Sequence, residues 1–160
     1  MDFIAGLHPK FVHFPIALFL TYTLLEITGI VFKKELFSKA AYIILILGIL
    51  GGVAAVFTGD RASEAAEKLS DLGVIVPLGS ISRHEDYATY TLWYFVALTA
   101  FRTYLIIRKK FTGTLKYLFI VLALIGSLLV YETALLGGRL VYQHGVGTDL
   151  IQPEKTNIQK

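Results

Sequence analysis

The composition of this 160-residue chain is that of an integral membrane protein. Hydrophobic residues make up 55% of the chain, 17% are charged and the mean hydropathy is +0.64, which is too apolar for one small soluble core. The net charge of +3 reflects how lysine and arginine are divided among the loops, and it gives no reason to expect a nucleic-acid partner. The lack of cysteine excludes disulfides, thiolate-bound iron–sulfur clusters and covalently attached c-type haem.

Four apolar segments long enough to cross a bilayer follow one another at about 14–32, 40–57, 88–107 and 115–136. The first opens with Pro15, which is tolerated in a first helical turn, and the second has no polar face of the kind a soluble helix needs. Between spans two and three, residues 62–69 are rich in helix formers and predict a short surface helix. The prediction is one all-α domain, an integral membrane four-helix bundle with a short outer-face helix between spans two and three.

The basic residues predict how the bundle is oriented. The two short connections hold seven cations within about sixteen residues, whereas the other face spreads seven over about 66 residues. The short loops are therefore expected to be cytoplasmic, with both termini and the 59–87 loop outside, in the inner membrane of the cell. The dense group is Lys33, Lys34, Lys39, Arg108, Lys109, Lys110 and Lys116.

A weak internal repeat accompanies this topology. Each half has a histidine, an apolar span, a basic loop and a second span that ends in glycine, from His13 to Gly59 and from His84 to Gly137. The spacing from Gly48 to Gly59 equals that from Gly126 to Gly137. The pattern is consistent with two hairpins related by an axis along the membrane normal, or with the chance similarity that any four-span protein shows.

All four histidines fall at the predicted outer face, namely His8, His13, His84 and His144. Imidazoles that converge from different helices of a bundle are what one or two haem b groups need as axial ligands. His13 and His84 are the first choice of pair, with His8 and His144 second, and the Arg139 guanidinium suits a haem propionate. The alternatives are direct copper or zinc ligation by His8, His13, His84 and His144, or a structural role as interfacial anchors.

Three charged residues lie well inside the apolar runs, away from the short loops. Glu26 and Arg102 both fall in the inner halves of their spans, so we expect them to form an intramembrane pair; the alternative is a snorkelling arginine beside a protonated Glu26. Glu26 lies about 20 Å below His13 along a helix and cannot share its site. Glu132 lies near the outer end of span four, where it could orient an imidazole as a hydrogen-bond acceptor.

The chain resembles the bacterial membrane-protein family named domain of unknown function 2231 over nearly its whole length. The resemblance is carried by His8-Pro9, by Val12-His13-Phe14-Pro15-Ile16-Ala17-Leu18, by Thr58-Gly59-Asp60, and by Gly137-Gly138-Arg139-Leu140-Val141-Tyr142 with Gly145-Val146-Gly147. It implies a four-span module, in some members joined to a Rieske-type iron–sulfur domain, with no settled activity. The positions that match the family's marked residues are His8, His13, Glu26, Asp60, His84, Gly137, Gly138 and Tyr142.

These observations predict a haem b protein that transfers electrons at the outer face, more as an electron-transfer or accessory subunit than as a stand-alone enzyme. The expected partners are the lipid bilayer, a quinol and a periplasmic redox protein such as a Rieske-type or cytochrome c protein, within a homo-oligomer or larger complex. The alternatives are a copper- or zinc-handling membrane protein and a structural subunit of a respiratory complex.

Overall fold

The computed structural model describes residues 3–148, and nearly all of them lie in helices. A 3-10 turn at Ala5–Leu7 leads into α1 (His8–Phe11) and α2 (His13–Val31). The remaining helices are α3 (Glu35–Asp71), α4 (Leu78–Ile107) and α5 (Thr114–Tyr142). The turn, α1 and α2 together form one helical segment, Ala5–Val31, so His8 lies on the first membrane helix and not in a loop ahead of it.

The distribution of side chains is that of a membrane bundle. Within the described residues, four helices are long and apolar enough to cross a bilayer. Large apolar side chains cover their outer surfaces, among them Leu24, Trp93 and Leu128, each about two-thirds exposed, whereas Glu26 and Arg102 are completely enclosed. A soluble bundle would place these groups the other way round. The protein is therefore a multi-pass membrane protein, surrounded by lipid.

The four long helices form a ring in which each contacts two neighbours. Contacts join α2 to α3, α3 to α4, α4 to α5 and α5 back to α2, so α2 and α4 face each other across the diagonal. Because successive helices are antiparallel, α2 and α4 run in the same direction and their N-terminal ends meet at one end of the bundle. We call this the histidine end, and the end with the two short basic loops the lysine end.

The centre of the bundle is a pair of stacked rings from the two diagonal helices. Phe19 of α2 and Phe95 of α4 are parallel to within 2°, with centroids 3.8 Å apart. Each ring is covered by a glycine of the neighbouring helix: a Cβ built on Gly48 would lie 2.7 Å from the Phe19 ring, and one built on Gly126 would lie 2.6 Å from the Phe95 ring. These two glycines thus make room for two specific aromatic rings, in the way that small residues let membrane helices approach closely.

The outer-face helix expected between spans two and three is present as helix but not as a separate element. Residues 62–69 continue α3, which runs for 37 residues to Asp71, and α4 begins already at Leu78. Ala66, Ile81 and Leu140 form a small second core that fixes these extensions to each other and to the end of α5. Because the extensions pack together, the helices continue beyond the bilayer instead of ending in a loop.

Replacing Gly126 with alanine should destabilise the protein by about 1–3 kcal/mol, because the added methyl group would overlap the buried Phe95 ring, which is already stacked on Phe19. The matched control is Gly138→Ala in the same helix, where no atom lies within 4 Å of the new Cβ. In the control, the higher helix propensity of alanine should give no loss of stability or a small gain. Unfolding in mixed detergent micelles measures both variants, and equal effects would contradict this packing.

Candidate functional site

Two histidines meet at the histidine end of the bundle, one from each diagonal helix. The ring centroids of His8 and His84 are 6.3 Å apart and the ring planes are inclined by 73°. Both side chains are partly buried. The structure therefore brings His84 next to His8, whereas the first pair predicted from the sequence was His84 with His13.

Each imidazole is held through the same ring nitrogen. His8 Nδ1 lies 3.0 Å from the Ala55 carbonyl oxygen and 3.2 Å from Thr58 Oγ1, and His84 Nδ1 lies 3.1 Å from the Thr133 carbonyl oxygen. A carbonyl oxygen only accepts, so Nδ1 must carry the proton in both rings. In the neutral imidazole this leaves Nε2 with its lone pair, and no described residue hydrogen-bonds to Nε2 of either ring. Histidines that bind a metal ion typically donate their other ring N–H to a carbonyl or carboxylate in this way.

A glycine contacts each ring and leaves room for it. A Cβ on Gly59 would lie 3.1 Å from His8 Cε1, and one on Gly137 would lie 3.0 Å from His84 Cε1. Gly138, next in the chain, has open space at the same position. Gly59 and Gly137 are thus required by the imidazoles, which explains why a helix in each hairpin carries glycine at that point.

Two neighbouring imidazoles could supply two nitrogen ligands to one metal ion. A five-membered ring with bonds of about 1.33 Å has its centre about 1.1 Å from each ring atom. Two imidazoles bound through nitrogen at about 2.0 Å on opposite sides of one ion therefore have centroids about 6.3 Å apart. The observed centroid distance of 6.3 Å is compatible with two such ligands. In the described residues no group of three or more histidine, aspartate or glutamate side chains is arranged to hold a metal ion.

The other residues proposed from sequence lie elsewhere. His13 is exposed on α2. His144 is also exposed and lines a small cavity of about 160 Å³ together with Arg139 and Arg83. The structure therefore shows neither of the two pairs predicted from the sequence, which were His13 with His84 and His8 with His144.

Glu132 does not act as the acceptor for an imidazole in this arrangement. Its side chain is exposed, and the acceptor for His84 Nδ1 is the backbone carbonyl of the next residue, Thr133. A backbone carbonyl is held by the helix itself, so it orients the ring without a second charged group near the membrane.

Glu26 and Arg102 form an ion pair inside the bundle, at the depth that sequence analysis expects. Arg102 Nη1 donates to Glu26 Oε2, and both side chains are essentially inaccessible. Arg102 Nη2 also donates to the carbonyl oxygen of Ser38 at 2.9 Å and to Ser38 Oγ at 3.0 Å. The guanidinium thereby connects α4 to α2 and α3 near the lysine end, about 27 Å along the helix from His8.

The internal repeat is visible in these contacts. His8 and His84, Phe19 and Phe95, and Glu26 and Arg102 are each separated by 76 positions, and each pair meets across the diagonal. The glycines that cover the rings are separated by 78 positions, Gly48 from Gly126 and Gly59 from Gly137. The two hairpins are thus structurally equivalent, but the residue equivalent to His84 is His8, and the repeat that starts at His13 has the wrong register.

The periodicity of the first helix favours His8 over His13 as the histidine that faces the interior of the bundle. At 3.6 residues per turn, His8 and Glu26, which are 18 residues apart, lie on the same face of one helix. His13 is turned by about 140° from His8, which places it on the far side of that helix. Once Glu26 is placed inside the bundle, His8 must lie inside too, and His13 must face outward.

The fold and the site together define a class: a four-span membrane bundle of two equivalent hairpins, each of which contributes one imidazole to the diagonal. A family model described as "Predicted membrane protein (DUF2231)" matches residues 5–150. The chain belongs to this family, which agrees with the resemblance carried by its motifs. No curated protein and no solved structure matches the chain.

Proposed function

We propose that the protein binds one haem b, with His8 and His84 as the two axial ligands, and transfers electrons at the histidine end of the bundle. The observation that carries the proposal is the pair of neighbouring imidazoles whose Nδ1 atoms both donate to backbone carbonyls. Haem iron already has four porphyrin nitrogens, so it needs only two ligands from the protein. When bound, the haem would supply one-electron redox chemistry.

The ligand count favours haem over zinc. Structural zinc takes four protein ligands and catalytic zinc takes three, whereas the described part of the chain brings two imidazoles together. One pair supports one haem, because His13 and His144 are exposed and do not form a second pair. Copper remains the alternative that the experiment below must distinguish.

The protein's own residues would hold and orient the group. The carbonyls of Ala55 and Thr133 keep each imidazole in the tautomer that exposes Nε2. Arg139 and Arg83 line the same small cavity beside the site, where guanidinium groups suit the carboxylates of haem propionates. If the lysine end is cytoplasmic, as its density of cations predicts, the haem would face the periplasm and a quinol or a periplasmic Rieske-type or cytochrome c protein.

An absorption spectrum of the purified protein tests the proposal directly. The protein is produced in a bacterial membrane with ample haem supply, purified in a neutral detergent, and recorded oxidised and reduced. We expect a six-coordinate, low-spin spectrum with a Soret band, split visible bands on reduction, and about one haem per chain.

Each other result supports a rival function. A colourless protein with stoichiometric copper or zinc would replace the haem proposal with metal handling. A colourless, metal-free protein that co-purifies with oxidoreductase subunits would indicate a structural subunit of a respiratory complex. Either outcome would overturn haem binding by this chain.

A further inference from the structure

A large open cavity occupies the lysine end of the bundle, far from the histidines. Its volume is about 900 Å³, and its walls come from all four long helices and both short loops. The apolar part of the wall includes Ile43 and Ile106, which are 58% and 43% exposed on the outside of the bundle. Both side chains are therefore accessible to an acyl chain.

The charge of the cavity is strongly positive. Among the described residues, five cationic side chains line it and one carboxylate does, Glu35, which lies 3.7 Å from Lys39 in an exposed ion pair. The cations are Lys33, Lys39, Lys109, Lys116 and Arg102. Lys39 and Arg102 are paired with Glu35 and Glu26, so an anion at this position would meet mainly the ammonium groups of Lys33, Lys109 and Lys116.

The buried guanidinium contributes to the inner wall. Arg102 is 1% exposed, packs against the Phe111 ring with its central carbon 4.8 Å from the centroid, and lines the cavity. Its Nε atom is buried and has no hydrogen-bond partner in the described part of the chain. Arg102 therefore adds positive charge behind the cavity wall, but its buried Nε is not an accessible donor there.

The backbone supports a specific role for two of the lysines. Lys33 and Lys109 follow α2 and α4 and both adopt left-handed backbone conformations, with φ of 53° and 52°. Glycine or asparagine is favoured at this position after a helix, and a long side chain is strained there. The same strained lysine occurs in both hairpins, and both lysines line the cavity.

We propose that this cavity binds one anionic phospholipid, with the phosphate among Lys33, Lys109 and Lys116 and an acyl chain along Ile43 and Ile106. Basic cavities between membrane helices are suited to such headgroups, and each lysine near a lipid phosphate strengthens binding. The site lies at the opposite end from the histidines, so it does not depend on haem binding.

Native mass spectrometry of the whole protein in neutral detergent tests the proposal. The protein is titrated with dioleoyl phosphatidylglycerol, with dioleoyl phosphatidylcholine, and with inorganic phosphate. We expect one phosphatidylglycerol to stay bound, with at least about tenfold preference over phosphatidylcholine, and no competition by inorganic phosphate. The variant K33Q/K109Q/K116Q should lose this preference by about tenfold or more.

The matched control removes three cations from the same loops that do not line the cavity, in the variant K34Q/R108Q/K110Q. It should keep the preference within about twofold, because it changes the net charge equally but leaves the cavity intact. Equal losses in the two triple variants would overturn the proposal in favour of diffuse attraction. Competition by inorganic phosphate would overturn it in favour of a free-anion site. If the first variant fails to fold, the unmodified protein still decides, since equal binding of the two lipids excludes the site.

Discussion

Replacing His8 or His84 with alanine should abolish the low-spin haem spectrum of the protein. Each change removes one of the two imidazoles, and the chain has no cysteine and no methionine other than Met1 to take its place. We expect a high-spin or empty site and a loss of low-spin haem of more than about tenfold, since even changes to residues behind a metal ligand cost tenfold or more. The measurement is the absorption spectrum with a haem assay per chain.

The other two histidines provide the controls for this experiment. His13→Ala and His144→Ala alter exposed side chains and should keep the low-spin spectrum at full haem occupancy. If His13→Ala abolished the spectrum while His8→Ala preserved it, the pairing seen in the structure would not be the ligand pair. Circular dichroism of all four variants separates loss of haem from loss of fold.

Breaking the Glu26–Arg102 pair should cost more stability than any change at an exposed ion pair. Each single variant, Glu26→Gln or Arg102→Gln, leaves a buried charge without its partner, for which we expect a loss of about 3–5 kcal/mol. The double variant removes both charges, so its loss should be clearly smaller than the sum of the two single losses. Unfolding by denaturing detergent in mixed micelles measures all three.

Glu35→Gln is the matched control, because Glu35 and Lys39 form an exposed pair whose side chains are 81% and 77% accessible. It should leave stability unchanged within error. Simple additivity of Glu26→Gln and Arg102→Gln would contradict a direct interaction between the two groups inside the membrane.

Much of the fold follows from local properties of the chain. Hydropathy and helix length are set by runs of neighbouring residues, so the four spans, the all-α class and the shared depth of Glu26 and Arg102 can be derived from sequence. The positions at which helices end depend more on contacts between residues that are distant in sequence. The extension of α3 to Asp71 depends on the small core of Ala66, Ile81 and Leu140, whose members are distant in sequence.

Which side chains meet at the candidate site depends on how each helix is rotated about its axis. The sequence predicts that the histidines gather at one end, because depth depends only on position along a helix. It could not decide between His8 and His13, since rotation is fixed by packing between helices: Phe19 against Phe95, and Gly59 and Gly137 against the imidazoles. The orientation of the bundle in the membrane stays a prediction from its lysines.

The sequence by itself determined that this chain spans a membrane four times and at what depth its charged residues and histidines lie. The tertiary structure decided which of those residues meet, because contacts across the diagonal join positions 76 residues apart and depend on both helix rotation and helix order. It also decided that the lysines of two separate loops surround one cavity, since the loops are brought together only when the bundle closes.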